Sequence, residues 1–211
     1  MRNRRKIRYK ITAAALISSM LGMSMAGSAL AGPPAVATDE ALYVNLDYYG
    51  NQVDSSVVKG VSLNGLRTFT DYGTYTDVTN MSNYAEPVIS GDGVTWQLPE
   101  DSKERFYYEC QLNNDEVVLP WNFDVSYKLN GIPKEAKDLV HANGLVEMEV
   151  HCIPNENAKE YYRNNMLLQV ATMVNMEDVN AVEAPGSQTQ ALGTYKVVIF
   201  AAVPGEEKTF H

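Results

Sequence analysis

Histidine and cysteine are scarce in this chain, with three and two copies in 211 residues. No HExxH, CxxC or phosphate-cradling glycine loop occurs, and no serine or cysteine stands in a nucleophile-elbow context. The usual sequence grounds for a zinc hydrolase, a dithiol redox protein, a P-loop enzyme or an α/β-hydrolase are therefore missing. No catalytic, cofactor-binding or metal-ligating residue can be assigned, and no cofactor is expected. Long apolar runs are also lacking. Beyond residue 31 nothing approaches the roughly 20 apolar residues a membrane-spanning helix needs. Basic residues become rare after the first ten.

Those ten hold Arg2, Arg4, Arg5, Lys6, Arg8 and Lys10 and no acid. An apolar run, Ile11 to Met25, follows, broken by Ser18, Ser19, Gly22 and Ser24, and then small residues ending in Ala29-Leu30-Ala31. A charged start, a short apolar centre and an A-x-A exit form the pattern of a signal peptide, expected over residues 1–31. Ala35-Val36-Ala37 is a second candidate exit. Cutting at Ala31 removes six of the 17 basic residues and none of the 26 acidic ones, leaving 11 against 26 and a formal charge of −15. Such a field repels nucleic acid and anionic lipid. The expected location is extracellular or at the cell surface, with no nucleic-acid partner and no membrane span apart from the leader.

Period-two alternation dominates the remainder. Leu42, Val44 and Leu46 oppose Tyr43, Asn45 and Asp47, and Phe106, Tyr108, Cys110 and Leu112 oppose Tyr107, Glu109 and Gln111. Trp121, Phe123, Val125, Tyr127 and Leu129 form the clearest stripe. Val94, Trp96 and Leu98 form another. Further strands are expected at 53–59, 61–63, 67–72, 75–80, 145–152, 166–174 and 195–203. Asn64-Gly65 and Asn130-Gly131 read as hairpin turns, because both residue types accept positive φ. One short helix is expected at Lys134–His141, with Pro133 in its first turn. Many short strands and frequent turns predict an all-β protein of two consecutive modules. These are a linker at 32–38, an N-terminal β module at 39–118 and an Ig-like β-sandwich at 119–211. Lys208–His211 reads as the opening of a further strand, so the second module is expected to be truncated at its C-terminal end.

Cys110 and Cys152 each fall on an apolar strand face. In an exported chain they form a candidate disulfide clamping the two modules; two separate buried thiols are the alternative. His151 cannot pair with Cys152 within one strand, because neighbouring side chains point to opposite faces. Asn113-Asn114-Asp115-Glu116 lacks the spacing of a calcium loop and reads as a solvated turn. The 13 tyrosines include doublets at 48–49, 107–108 and 161–162, which suit one ring in and one ring out. Trp96, Trp121, Phe123 and Tyr127 are the expected core anchors.

Several segments together carry a family resemblance. They are Tyr43-Val44-Asn45-Leu46-Asp47 with Gly50, Asp71-Tyr72-Gly73-x-Tyr75, Val78-Thr79-Asn80-Met81, and the stretch from Leu119-Pro120-Trp121-Asn122 to Leu129-Asn130-Gly131. Tyr162-x-Asn164-Asn165, Glu183-Ala184-Pro185-Gly186 and Pro204-Gly205-Glu206 complete the set. The chain resembles the N-terminal extracellular region of uncharacterised surface proteins of clostridia-like Gram-positive bacteria. Those proteins continue into X-X-X-Leu-X-X-Gly heptads and a C-terminal membrane anchor. The resemblance implies a surface location and no known activity. The expected function is a non-enzymatic extracellular module with an envelope-structural or surface-interaction role, its partner an unidentified cell-surface protein or glycan. A carbohydrate-binding module using exposed Tyr and Trp rings and acidic residues is the alternative. A hydrolase built on dispersed acids is a third.

Overall fold

The computed structural model describes residues 13–19 and 36–211. The charged start and the small-residue exit of the leader lie outside the described residues. Strands are the dominant regular element among the described residues: β1 (Ala13–Ser19), β2 (Ala37–Leu46), β3 (Gln52–Ser62), β4 (Thr68–Tyr72), β5 (Asp77–Asn80), β6 (Val88–Ser90), β7 (Gly93–Gln97) and β8 (Arg105–Gln111). The series continues with β9 (Trp121–Leu129), β10 (Ile132–Lys134), β11 (Val146–Pro154), β12 (Leu167–Asn175), β13 (Gln188–Leu192), β14 (Tyr195–Ala202) and β15 (Lys208–Phe210). They form one eight-stranded sheet in the order β13-β14-β12-β1-β2-β3-β8-β5, a four-stranded sheet β10-β9-β11-β15 and a three-stranded sheet β4-β7-β6. The all-β expectation holds, and the sheets pack in sandwich fashion.

Local chemistry accounts for most of these elements. Along β9, Trp121, Val125 and Tyr127 are buried while Asn122, Asp124, Ser126 and Lys128 are exposed, as period two requires. Asn130 and Gly131 take φ of 52° and 78° and join β9 to β10 as a two-residue hairpin. Asn64 and Gly65 adopt similar values, 51° and 84°. Their flanking strands lie in different sheets, so this turn passes the chain from one layer to another and makes no hairpin. Gly60 does not break its strand either. It sits within β3 opposite Asp39 and Tyr107, where a Cβ would come within 2.9 Å of the Tyr107 ring.

The helix expected at Lys134–His141 is a correction. Pro133 and Lys134 belong to β10 at the edge of its sheet, where a missing N–H is tolerated, and only Ala136–Leu139 coil, as a 3₁₀ turn. The one α-helix among the described residues, α1 (Glu160–Asn165), was not anticipated; at six residues it is too short for a periodic signal.

Two principal cores lie on the large sheet. In one, Leu168, Val170 and Ala202 from β12 and β14 meet Trp121, Val125, Tyr127, Val150, Cys152 and Phe210 of the four-stranded sheet. In the other, Val61, Phe106, Tyr108 and Cys110 from β3 and β8 meet Val94 and Trp96 of the three-stranded sheet. The Leu119-Pro120 step separates β8 from β9, but packing runs across it. Val44 and Leu46 of β2 cluster with Leu119, and Leu42 packs against both that group and the Trp121 core. The turn after β2 adds a close approach: Gly50 takes φ of 90°, and a Cβ there would stand 2.5 Å from the Phe123 carbonyl oxygen. Only glycine suits both demands.

Candidate functional site

The four expected core anchors are found where burial matters. Trp96, Trp121 and Tyr127 are buried, and Phe123 is partly buried against the Trp121 core. Trp121 Nε1 donates to the Glu206 carbonyl at 2.9 Å, and Tyr127 Oη donates to the Tyr48 carbonyl at 3.0 Å. Both indoles are thus withdrawn from any surface, which leaves tyrosines as the rings available for stacking on a sugar. Tyr72 and Tyr84 are exposed, and an open depression beside Tyr84 is lined by Asn83, Gln97 and Asp101. Tyr107 is exposed and Tyr108 buried, the in-and-out division expected of a strand doublet.

The disulfide candidate is corrected. Cys110 and Cys152 are free thiols, each fully buried, and they belong to different cores on strands of different sheets. Burial pushes each up to about 12, so both stay protonated and unreactive at neutral pH. The sign for stability follows. Unfolded thiols lose their protons near their ordinary value of 9.0, before the folded ones do, so the folded state binds more protons in that interval. Stability is expected to be unaffected by these groups below about pH 9 and to fall progressively as the pH rises towards about 12. Urea midpoints measured at pH 7, 9 and 11 check this, with Cys152→Ala giving a shallower fall. An equal alkaline fall in that variant would remove the thiol as cause.

Other candidates have structural duties. His151 Nε2 lies 2.9 Å from Glu207 Oε1 on the exposed side of β11. Asn114 accepts from Ser55 Oγ at 2.8 Å and donates to the Val53 carbonyl, tying the turn at 113–116 to β3. Among the described residues no group of three or more His, Cys, Asp or Glu is placed to hold a metal ion.

The chemically distinctive constellation is one that sequence reasoning missed. Lys59 lies in the middle of β3, opposite Glu40 on β2 and Tyr108 on β8. Directly paired positions share a face, so these three residues line up across adjacent strands on the side carrying Val61 and Phe106. That side faces the three-stranded sheet, and Lys59 is 5% exposed. Its Nζ lies 2.8 Å from Asp71 Oδ2 on β4 and 3.0 Å from Glu40 Oε1. Tyr75 Oη donates to the same Asp71 oxygen at 3.2 Å, and the Tyr75 ring centroid is 5.5 Å from the ammonium. Gly73 makes that contact feasible, because a Cβ there would collide with the Tyr75 ring.

The walls are aromatic. Tyr108 stands against Trp96, Phe69 and Phe106 with centroids 5.1, 6.3 and 5.7 Å away, and its buried hydroxyl makes no hydrogen bond. Burial works against the charge on Lys59, yet the neighbouring Asp71 and Glu40 carboxylates outweigh it and hold the group above its ordinary value. Burial pushes Tyr75 up to about 12, with Asp71 adding to the rise and Lys59 opposing it. The trio is uneven in access, since the side chain of Asp71 is 16% exposed and that of Glu40 50%. A lysine inside Val57-Val58-Lys59-Gly60-Val61 was the available signal, because a charge in an apolar strand must find a partner.

Comparison of the chain with protein-family models, with curated proteins and with solved structures gives no match.

Proposed function

We propose that this chain is an exported, non-enzymatic extracellular module of a cell-surface protein, and that it joins other polypeptides by strand addition. The observation that carries the reading is the place of β1. Residues 13–19 belong to the expected leader, and they occupy the middle of the large sheet. Ala15 pairs with Val44 of β2 on one side and Val170 of β12 on the other, and Ile17 pairs with Leu42 and Leu168. β1 runs antiparallel to both neighbours.

Cleavage at Ala31 removes that strand and leaves β2 and β12 flanking a gap of two strand spacings, about 9–10 Å. Each flanking strand then exposes a row of unpaired N–H and C=O groups, the template that β-strand addition uses. The floor of the gap is apolar, since Val44, Leu168 and Val170 are buried and Leu42 is half-buried. Tyr43, Asn45 and Gln169 alternate with them on the strands. The fitting occupant is an extended segment of another polypeptide, about seven residues long, with small or apolar residues at alternate positions. The net acidity of the mature chain favours a donor without acidic residues.

The test has two arms. Secreted protein is expected to begin at Gly32; a product still containing Ala13 would defeat the export reading. Chain 32–211 is then titrated with a synthetic peptide of residues 12–20, expected to bind saturably and raise the melting temperature. Correctly processed protein that ignores the peptide would leave export standing and end strand addition.

A further inference from the structure

We propose that Lys59 and Asp71 join covalently through a side-chain amide, formed by the protein itself with Glu40 as the proton-transferring group. This assignment is independent of export and of the strand gap. Three requirements of such a reaction meet at this place. The amine and the carboxyl must be held together, and Nζ is 2.8 Å from Asp71 Oδ2, one bond from the carbon to be attacked. Holding reactants in this way replaces a bimolecular encounter with a unimolecular step. A second acid–base group must reach the same nitrogen, and Glu40 Oε1 is 3.0 Å from it. Water must be kept from the nitrogen, and Lys59 is buried with Tyr75, Tyr108, Phe69 and Trp96 walling the site.

The step balances without an oxidant or a co-reactant. A proton passes from the Lys59 ammonium to Asp71, giving a neutral amine and a carboxylic acid. Burial favours this exchange because it removes two charges, while the neighbouring carboxylates oppose it by holding the proton on Lys59, so the neutral pair is a minor state drawn forward by the loss of water. The Nζ lone pair attacks Asp71 Cγ and a C–N bond forms. The proton lies on Oδ2, the oxygen that Nζ touches, so Oδ2 becomes the departing hydroxyl and negative charge gathers on Oδ1; Tyr75 Oη, donating to Oδ2, holds the carboxyl in place and favours the departure of that oxygen. The Glu40 carboxylate takes the next proton from Nζ and delivers it to the departing hydroxyl. The C–O bond breaks, one water leaves, and Glu40 returns to its starting state. The product links β3 of the eight-stranded sheet to β4 of the three-stranded sheet, two layers that share no backbone hydrogen-bond ladder.

Mass spectrometry of the purified full chain, with the N-terminus identified in the same experiment, decides the matter. Wild-type protein is expected to be lighter than its sequence by the mass of one water. Protease digestion should release a branched peptide joining the segments around Lys59 and Asp71. Glu40→Gln should carry the full mass and only linear peptides, and its half-exposed position allows the fold to persist. Lys59→Met should likewise show the full mass. Wild-type protein at full mass, with the two segments recovered as separate linear peptides, overturns the proposal. A branched peptide at undiminished yield in Glu40→Gln overturns the part assigned to Glu40.

Discussion

Trp121→Ala is expected to lower stability by about 3–5 kcal/mol, among the largest losses from a single truncation in the core. The indole is 1% exposed and opens the inward stripe of β9, where it packs with Val150, Cys152, Leu168 and Val170. Alanine leaves a cavity between two sheets that cannot close without shifting both. It also strips the Glu206 carbonyl of its donor, 85 residues away in sequence, and so loosens the turn that leads into β15. Urea denaturation of wild type and variant measures the difference. An unchanged midpoint would mean that the packing between the large and four-stranded sheets contributes little to stability.

Asp71→Ala is expected to cost about 3 kcal/mol, the lower end for breaking a buried ion pair, because Glu40 remains to face the stranded ammonium. The double variant Lys59→Met, Asp71→Leu should lose less than the single one. Removing both partners leaves no buried charge, whereas removing one leaves Lys59 in an aromatic enclosure without its nearest counter-charge. The ordering holds whether the pair is ionic or joined, since both variants lack the link and only the single one carries the orphaned cation. Matched denaturant curves are the measurement. A double variant less stable than Asp71→Ala would show that Lys59 contributes through its own packing.

The strands were legible because their signal is local. Trp121–Leu129 alternates so regularly that expectation and strand coincide in both ends, and Phe106, Tyr108 and Cys110 are buried as the alternation requires. The helix error at Lys134–His141 has the same local origin. Proline suits a helix start and an edge strand alike, and pairing with β9, a tertiary fact, chose the second. The site was illegible for a different reason. Glu40, Lys59 and Asp71 come from three strands, and nothing in any one strand says which of the many acids will face a given lysine.

Alternation, turn chemistry and composition were enough to establish from the chain alone that this is an all-β protein with Trp96, Trp121, Phe123 and Tyr127 inward, because side-chain period and positive-φ turns are properties of short segments. Sheet membership belonged to the tertiary structure. It put β2 in register with β3, bringing Glu40 opposite Lys59, and laid β4 where Asp71 reaches the same nitrogen. It also parted Cys110 from Cys152 by assigning β8 and β11 to different sheets and cores. Pairing between distant strands depends on which apolar faces can be buried together at once, a condition on the whole chain that no single segment carries.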